Sequence, residues 1–321
     1  MNKYVGNVMQ LYSVKEARLS GGKADGMRVL LVKNAKGLEF TVSLDRCADI
    51  SELSLKGDNF AFISPCGYVA PTYYDNRGIN FLKSFTAGFM TTCGLRNVGN
   101  PCTDDNEELP LHGTVSHIPA EKHCWYVEND EIHIKATIRD AYLFNKKLLL
   151  EREYICPINE NVIYLKDVVK NIGFEDSPLQ MLYHCNMGYP LLSEKAILNI
   201  PSNKVIARNE HSETGIDKWQ ICEEPQNGYV EMCYYHEFEN ETPTVSLYNN
   251  DIKKGIEMTF NTKELPFFTQ WKMMGEGEYV MGLEPGNCNP DGRDKMRESG
   301  KLEILKSGET KTHRIKFKFV E

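Results

Sequence analysis

Hydrophobic and polar residues alternate along most of the chain with the period expected of β-strands. Residues 27–33 (MRVLLVK) and 38–44 (LEFTVSL) flank a short polar turn, which predicts a hairpin. No segment carries a long helical stripe with capping residues. Many short strands at regular intervals predict an all-β fold, a large antiparallel sandwich. The other predicted strands are 53–56, 60–63, 124–128, 132–139, 148–156, 162–171, 179–186, 196–200, 204–208, 229–237, 244–249, 255–260, 267–274, 279–284, 301–305 and 310–320.

Two stretches interrupt this pattern. Residues 64–120 are rich in Gly, Pro, Asn and Asp, and residues 287–300 (NCNPDGRDKMRESG) form a polar segment after an apolar strand. Long irregular segments inside a domain are often functional. The chain shows no repeat or linker-like composition, so we expect one domain over residues 1–321; a division into separate domains remains the alternative.

Composition narrows the classes of partner. The 321 residues carry a formal net charge of -8 without a basic cluster, which argues against nucleic-acid binding. No apolar run approaches the roughly 20 residues of a membrane helix, and the N-terminus lacks the apolar core of a signal peptide. The ten cysteines form no C-x-x-C pair. A cytoplasmic protein with reduced thiols is therefore expected.

The strand predicted at residues 179–186 carries a histidine that its apolar pattern does not require. Alternation places His184 on the face opposite Tyr183 and Cys185, which belong to a predicted core face. One interpretation is a histidine satisfied by hydrogen bonds at the margin of the core. The other, which we favour, is an imidazole presented on the concave side of a sheet.

Two further residues have the chemistry to work with this imidazole. His112 lies in a loop next to Gly113, where a backbone without a Cβ can approach a ligand closely. Glu284 ends a predicted strand on the same face as Val280 and Gly282. A carboxylate in such a partly apolar cleft has its pKa raised by desolvation, which suits a general base.

Two histidines and one glutamate are also a known set of zinc ligands. The local spacings that usually supply such ligands are absent, and so are the G-x-S-x-G, P-loop and G-x-G-x-x-G motifs. We therefore predict acid–base chemistry without a metal or cofactor.

Four short motifs, in this order along the chain, resemble the galactose mutarotase (aldose 1-epimerase) superfamily, and more closely a divergent branch of it. They are T-T-C-G-L at 91–95, L-H-G at 111–113, Q-W-K at 270–272 and G-L-E-P-G-N at 282–287. The resemblance extends from about Arg46 to the last strand. It implies a large antiparallel β-supersandwich of the galactose mutarotase-like type, with a sugar bound in a concave cleft.

The resemblance also implies a reaction, the interconversion of monosaccharide anomers without a cofactor. Glu284 resembles the base that deprotonates the anomeric hydroxyl, His184 the acid that protonates the ring oxygen, and His112 a second histidine that polarises the sugar. The alternatives are a carbohydrate-binding or sensing protein on the same scaffold, or another sugar reaction that uses the same residues.

Residues that bind the sugar are less clearly marked. The superfamily uses an arginine upstream of L-H-G, for which Arg96 is the candidate and Arg46 and Arg77 are competitors. Lys272 interrupts an apolar run and shares a strand face with Gln270, so either it reaches the cleft or it lies on an outer face. The predicted substrate-binding residues are Arg46, Asp49, Arg96, Gln270 and Lys272. The identity of the sugar and the oligomeric state stay open.

Overall fold

A computed structural model describes residues 3–321, whose regular secondary structure consists mainly of antiparallel strands. The only α-helices of this range are α1 (Glu210–Glu213) and α2 (Arg293–Glu298), and 3-10 turns cover Val8–Gln10, Gly22–Ala24, Pro71–Tyr73, Asn80–Lys83, Val115–His117 and Ile216–Lys218. The strands are β1 (Ser13–Arg18), β2 (Arg28–Lys33), β3 (Leu38–Ser43), β4 (Asp49–Leu55), β5 (Asp58–Asn59), β6 (Phe62–Ile63), β7 (Ala87–Gly88), β8 (Met90–Leu95), β9 (Cys102–Asp104), β10 (Glu107–Leu109), β11 (Lys122–Glu128), β12 (Glu131–Ala141), β13 (Lys147–Pro157), β14 (Val162–Asn171), β15 (Ser177–Met187), β16 (Ala196–Asn199), β17 (Lys204–Ala207), β18 (Met232–Glu237), β19 (Thr244–Asn249), β20 (Lys254–Phe260), β21 (Phe267–Gly275), β22 (Glu278–Gly286), β23 (Glu303–Leu305) and β24 (Thr310–Val320).

Three sheets contribute to one hydrophobic core. The largest has the order β11-β12-β13-β14-β24-β20-β19-β16, the second β17-β18-β21-β22-β15-β23 with β8 paired to β15, and the third β1-β2-β3-β4-β5. Apolar side chains from all three meet in a cluster that extends from Leu30 to Phe319. The predicted all-β sandwich is thus confirmed. The single-domain organisation stays a prediction, which this continuous core supports.

Strands of the largest sheet follow the alternation of apolar and polar residues seen in the sequence. In β12, Ile132, Ile134, Ala136 and Ile138 are buried in the core, and the residues between them are more exposed. In contrast, β15 is buried at every position because β8 and β22 pair with it on either side while both of its faces are covered. This central strand carries His184.

Several elements were not predicted, among them β8, β1 and α2. β8 lies within the stretch read as irregular, because its small polar residues give no alternation and all six positions are buried. β1 is a half-exposed edge strand with a weak pattern, and α2 is too short to show a helical stripe. In each case pairing or packing with distant segments decides the conformation.

A buried charge cluster joins the sheets behind β15. Arg152 of β13 donates to Asp167 at 2.6 and 2.9 Å, to Asp49 at 2.5 Å and to Thr92 at 2.7 Å. Tyr183, the neighbour of His184, donates to Asp167 at 2.9 Å. Because strands from the core's different layers meet in this cluster, it fixes their relative positions.

Two further properties concern the chain as a whole. Among residues 3–321, no helix has the length and apolarity needed to cross a bilayer. All ten cysteines lie in this range and are free thiols.

Candidate active site

His184 projects from the middle of the buried strand β15 into a small cavity. Its neighbours Tyr183 and Cys185 point into the main core, as the alternation predicted. The ring packs edge-on against Phe85 and Trp271, with centroid distances of 5.4 and 5.2 Å. This burial lowers the pKa of His184 from 6.5 to about 4, because an imidazolium is poorly solvated there.

Glu284 of β22 reaches the same cavity from the adjacent strand. Its Oε1 lies 3.3 Å from Nε2 of His184, and the residue is only 2% exposed. Burial raises the pKa of Glu284 well above its ordinary value, against the opposing influence of the Arg208 charge. The side chain has room because residue 282 is a glycine: a Cβ there would sit 2.4 Å from Oε1.

His112 completes the group from the loop after β10. Its ring centroid lies 5.6 Å from that of His184. The N–H of Gly99 donates to Nδ1 at 3.3 Å, so in the neutral ring the proton is on Nε2. Burial lowers the pKa of His112 and keeps the ring neutral. Gly113 allows a close approach to the backbone of Gly94, whose carbonyl oxygen a Cβ would meet at 2.3 Å. The close approach of a ligand stays a prediction.

The cavity that these residues share has a volume of about 210 Å³. Three buried polar atoms that face this region lack hydrogen-bond partners within residues 3–321: Nδ1 of His184, Oε1 of Glu284 and Oγ1 of Thr269. A larger groove of about 780 Å³ lies over the sheet β1–β5, but no histidine is among the described residues that line it. The smaller cavity is therefore the one that the candidate acid–base residues line. Its lining residues are Phe81, Leu82, Phe85, Gly99, Asn100, Leu111, His112, His184, Arg208, Glu231, Cys233, Thr269, Trp271, Glu284 and Pro290.

None of the five residues predicted to bind substrate lines this cavity. Arg46 donates to the carbonyls of Ser116 and Val69, both at 2.7 Å, rather than pairing with Asp49. Asp49 accepts from Arg152 in the buried charge cluster. Burial therefore commits both residues to protein contacts.

Arg96, Gln270 and Lys272 are also placed elsewhere. Arg96 is buried beside Glu107, with which it forms an ion pair, in a separate cavity. Gln270 donates to the carbonyl of Trp219 at 2.7 Å, and Lys272 pairs with Glu223 at 2.8 Å. The alternation of β21 was read correctly, but the cavity is on the other face of the strand.

The face of β21 that lines the cavity carries Thr269 and Trp271. Trp271 is half-buried, packs on His184 and donates its indole N–H to Glu231 at 2.6 Å. Arg208, at the end of β17, supplies the cation of the cavity. Glu231 and Arg208 are far from every motif in the sequence, and only the pairing of β17, β18 and β21 brings them here.

The described residues 3–321 contain no group of three or more His, Cys, Asp and Glu side chains arranged to hold a metal ion. Nε2 of His184 and Oε1 of Glu284 lie 3.3 Å apart, a separation over which an acid and a base can exchange a proton.

Solved structures with the same fold include proteins named for sugar isomerisation. A candidate aldose 1-epimerase from Klebsiella pneumoniae has a TM-score of 0.90 at 24% identity, over 98% of this chain and 86% of that one. A galactose mutarotase-like protein from Clostridium acetobutylicum has a TM-score of 0.67 at 12% identity, over 97% and 99% of the two chains. Galactose 1-epimerase from Lactobacillus acidophilus has a TM-score of 0.64 at 14% identity, over 96% and 98%.

At these identities the similarity establishes the fold. No curated protein sequence matches the chain. A sequence family described as a domain of unknown function, DUF4432, matches residues 24–319. The chain therefore belongs to the DUF4432 family and has the galactose mutarotase-like fold.

Proposed function

We propose that the protein is a cofactor-independent enzyme that interconverts the anomers of a monosaccharide by acid–base catalysis. The observation that carries the proposal is the 3.3 Å contact between Nε2 of His184 and Oε1 of Glu284 in a buried, sugar-sized cavity. Structures with this fold that are named as aldose 1-epimerases support it.

The reaction needs two proton transfers. The carboxylate of Glu284 accepts the proton of the anomeric hydroxyl, and the imidazolium of His184 donates a proton to the ring oxygen. As these protons move, the C1–O5 bond breaks and C1 becomes an aldehyde. Rotation about C1–C2 and the reverse steps close the ring as the other anomer, which returns both protons to their starting atoms.

The pair holds one proton in total throughout this cycle. Burial favours the form in which Glu284 is protonated and His184 is neutral. Transfer of that proton across the contact produces the carboxylate and imidazolium that the reaction uses. Proton transfer by a positioned group contributes about 10²–10⁴-fold to a rate.

The other residues would orient the sugar. His112 carries its proton on Nε2 and can donate it to a sugar oxygen, since Nδ1 is occupied by Gly99. Trp271 and Phe85 give the cavity apolar walls on which the C–H face of a pyranose can pack.

The test is anomer exchange of freshly dissolved aldoses and their acidic derivatives, followed by polarimetry and NMR exchange spectroscopy. We expect the protein to accelerate equilibration of at least one sugar, and Glu284→Gln to slow it by about 10²-fold or more without loss of the circular dichroism of the fold. Saturable binding without exchange would indicate a sugar-binding protein instead. A new product in the NMR spectrum would indicate a different sugar reaction.

A further inference from the structure

Arg208 is the one cationic residue among the described residues that line the cavity, apart from the histidines, whose pKa values are lowered. Two of its three guanidinium nitrogens donate hydrogen bonds to protein acceptors. Nε donates to Oδ1 of Asp291 at 3.3 Å, and Nη2 donates to Asn100 Oδ1 at 3.1 Å and to the carbonyl of Pro290 at 2.9 Å. These three bonds fix the plane of the group.

The third nitrogen, Nη1, donates to no oxygen or nitrogen acceptor in residues 3–321. The thiol of Cys233 is close enough to interact with the guanidinium, but a thiol is a weak acceptor. A guanidinium has five N–H groups in a rigid fork, and three of them are used here. The two N–H groups on Nη1 therefore have no oxygen or nitrogen acceptor among the described residues, and Arg208 lines the cavity.

Asp291 is itself held in place from a second side. The hydroxyl of Tyr235 donates to the same Oδ1 at 2.6 Å. Asp291 belongs to the polar stretch 287–292 (NCNPDG) that follows the strand of Glu284. This stretch thus connects the carboxylate that would remove the proton with the cation of the same cavity.

We propose that Arg208 binds an oxygen atom of the substrate through the N–H groups of Nη1, and that Asp291 positions its guanidinium for this purpose. A charged N–H donor held in a fixed plane matches a sugar hydroxyl or a carboxylate oxygen. The inference rests on the proposed function. Arg46, Arg77 and Arg96 are all engaged by other protein groups outside the cavity.

The experiment compares Arg208→Gln, Arg208→Lys and Asp291→Asn with the wild type. The probes are D-glucose, D-galactose and D-glucuronate, with KM and kcat for anomer exchange from NMR and binding from saturation-transfer NMR. We expect Arg208→Gln to raise KM or the dissociation constant by about 10- to 100-fold, as for lost bonds to a charged donor, with a smaller change in kcat. Arg208→Lys keeps the charge but loses the planar group that the three bonds orient, so it should recover only part of the affinity. Asp291→Asn should give an affinity between those of the wild type and Arg208→Gln.

Arg139→Gln is the matched control, because this arginine forms an exposed ion pair with Glu121 and should leave KM unchanged. A larger loss for glucuronate than for the neutral sugars identifies the carboxylate as the bound group, and equal losses identify a hydroxyl. If the wild type exchanges anomers and Arg208→Gln leaves KM and binding unchanged, the inference is overturned. If the wild type exchanges no anomer but binds sugar in an Arg208-dependent manner, the proposed function fails and the inference stands.

Discussion

The central chemical feature at the scale of single residues is a pair of groups whose pKa values are shifted in opposite directions by one cause. Burial penalises both charges, so it raises the pKa of Glu284 well above 4.5 and lowers that of His184 to about 4. Between these two values the pair retains one proton. With one proton between them, the two groups can both accept and donate a proton, as an acid–base site must.

This state predicts the pH dependence of exchange. Below about pH 4 His184 takes up a second proton while Glu284 is protonated, so the base is lost. Above the raised pKa of Glu284 the pair loses its only proton, so the acid is lost. We expect kcat/KM to fall as the pH drops below about 4 and to fall again as the pH rises above the raised pKa of Glu284, as measured with non-coordinating buffers. A loss of activity as the pH falls through the ordinary histidine pKa of 6.5, with the protein still folded, would contradict this assignment.

Gly282 shows how a single missing Cβ can make room for the carboxylate of Glu284. Its backbone φ lies outside the left-handed region, so the conformation does not require glycine. A Cβ at this position would lie 2.4 Å from Oε1 of Glu284 and 2.9 Å from Cβ of Trp271.

We therefore predict that Gly282→Ala folds but displaces the carboxylate from His184. A displacement near 1 Å lowers kcat by about 10²-fold, and a crystal structure of the variant would show the longer contact. Gly275→Ala is the control on the neighbouring strand, where the closest contact of the added Cβ is the flexible end of Met273 at 2.8 Å and the other contacts are at ordinary distances. Wild-type kcat in Gly282→Ala would show that the space beside Glu284 is not needed.

At the scale of elements, three neighbouring strands create the site. β15 pairs with β22 and β22 with β21, which places His184, Glu284 and Thr269 around one cavity. The alternation of each strand is legible in the sequence. The sequence does not show which face of each strand opens on the cavity. These central strands are buried on both faces, and polarity alone does not distinguish a functional site from a buried hydrogen-bond network.

Lys272 and Asp49 illustrate this limit. Both are buried and charged, which is the sequence signature of a functional group as well as of a structural ion pair. Their partners, Glu223 and Arg152, lie at distant positions in the chain and become visible only in the tertiary structure.

The buried Arg152 cluster gives a stability prediction at this scale. Arg152→Met leaves Asp49 and Asp167 buried without their cation, which typically costs about 3–5 kcal/mol of unfolding free energy. Arg139→Met on the adjacent strand removes only an exposed pair with Glu121 and should cost less than about 1 kcal/mol. Chemical denaturation at pH 7 measures both. Equal losses in the two variants would mean that the cluster does not hold the sheets together.

At the scale of the whole molecule, the core extends across the three sheets and buries several titratable side chains outside the site. His313 of β24 is fully buried, and neither ring nitrogen has a hydrogen-bond partner in residues 3–321. Burial lowers its pKa to about 4, although Asp167 and Glu303 nearby act to raise it and Lys311 acts to lower it. The folded protein therefore keeps this histidine neutral.

The sign of the resulting pH dependence follows from linkage. The unfolded chain binds a proton at residue 313 below about pH 6.5, while the folded chain does so only near pH 4. Stability from this residue is present at neutral pH and is lost as the pH falls between these values. Relative to wild type, His313→Leu should gain about 2 kcal/mol of stability between pH 7 and pH 5. Urea denaturation at both pH values tests this, and an equal pH dependence in the two proteins would refute it.

The sequence alone determined the class of fold and pointed to the candidate acid–base residues. Alternation depends on the local geometry of a strand, so short segments of the sequence are enough to reveal it. Within such segments, His112, His184 and Glu284 stand out from their apolar surroundings. Only the tertiary structure decided which side chains join them in the cavity. Arg208, Glu231 and Thr269 arrive through strand pairings between distant segments, and Arg46, Asp49, Arg96, Gln270 and Lys272 are directed to protein partners by the same pairings. The physical reason is that the identity of a buried polar residue's partner is a long-range property of the packed chain, which no local pattern encodes.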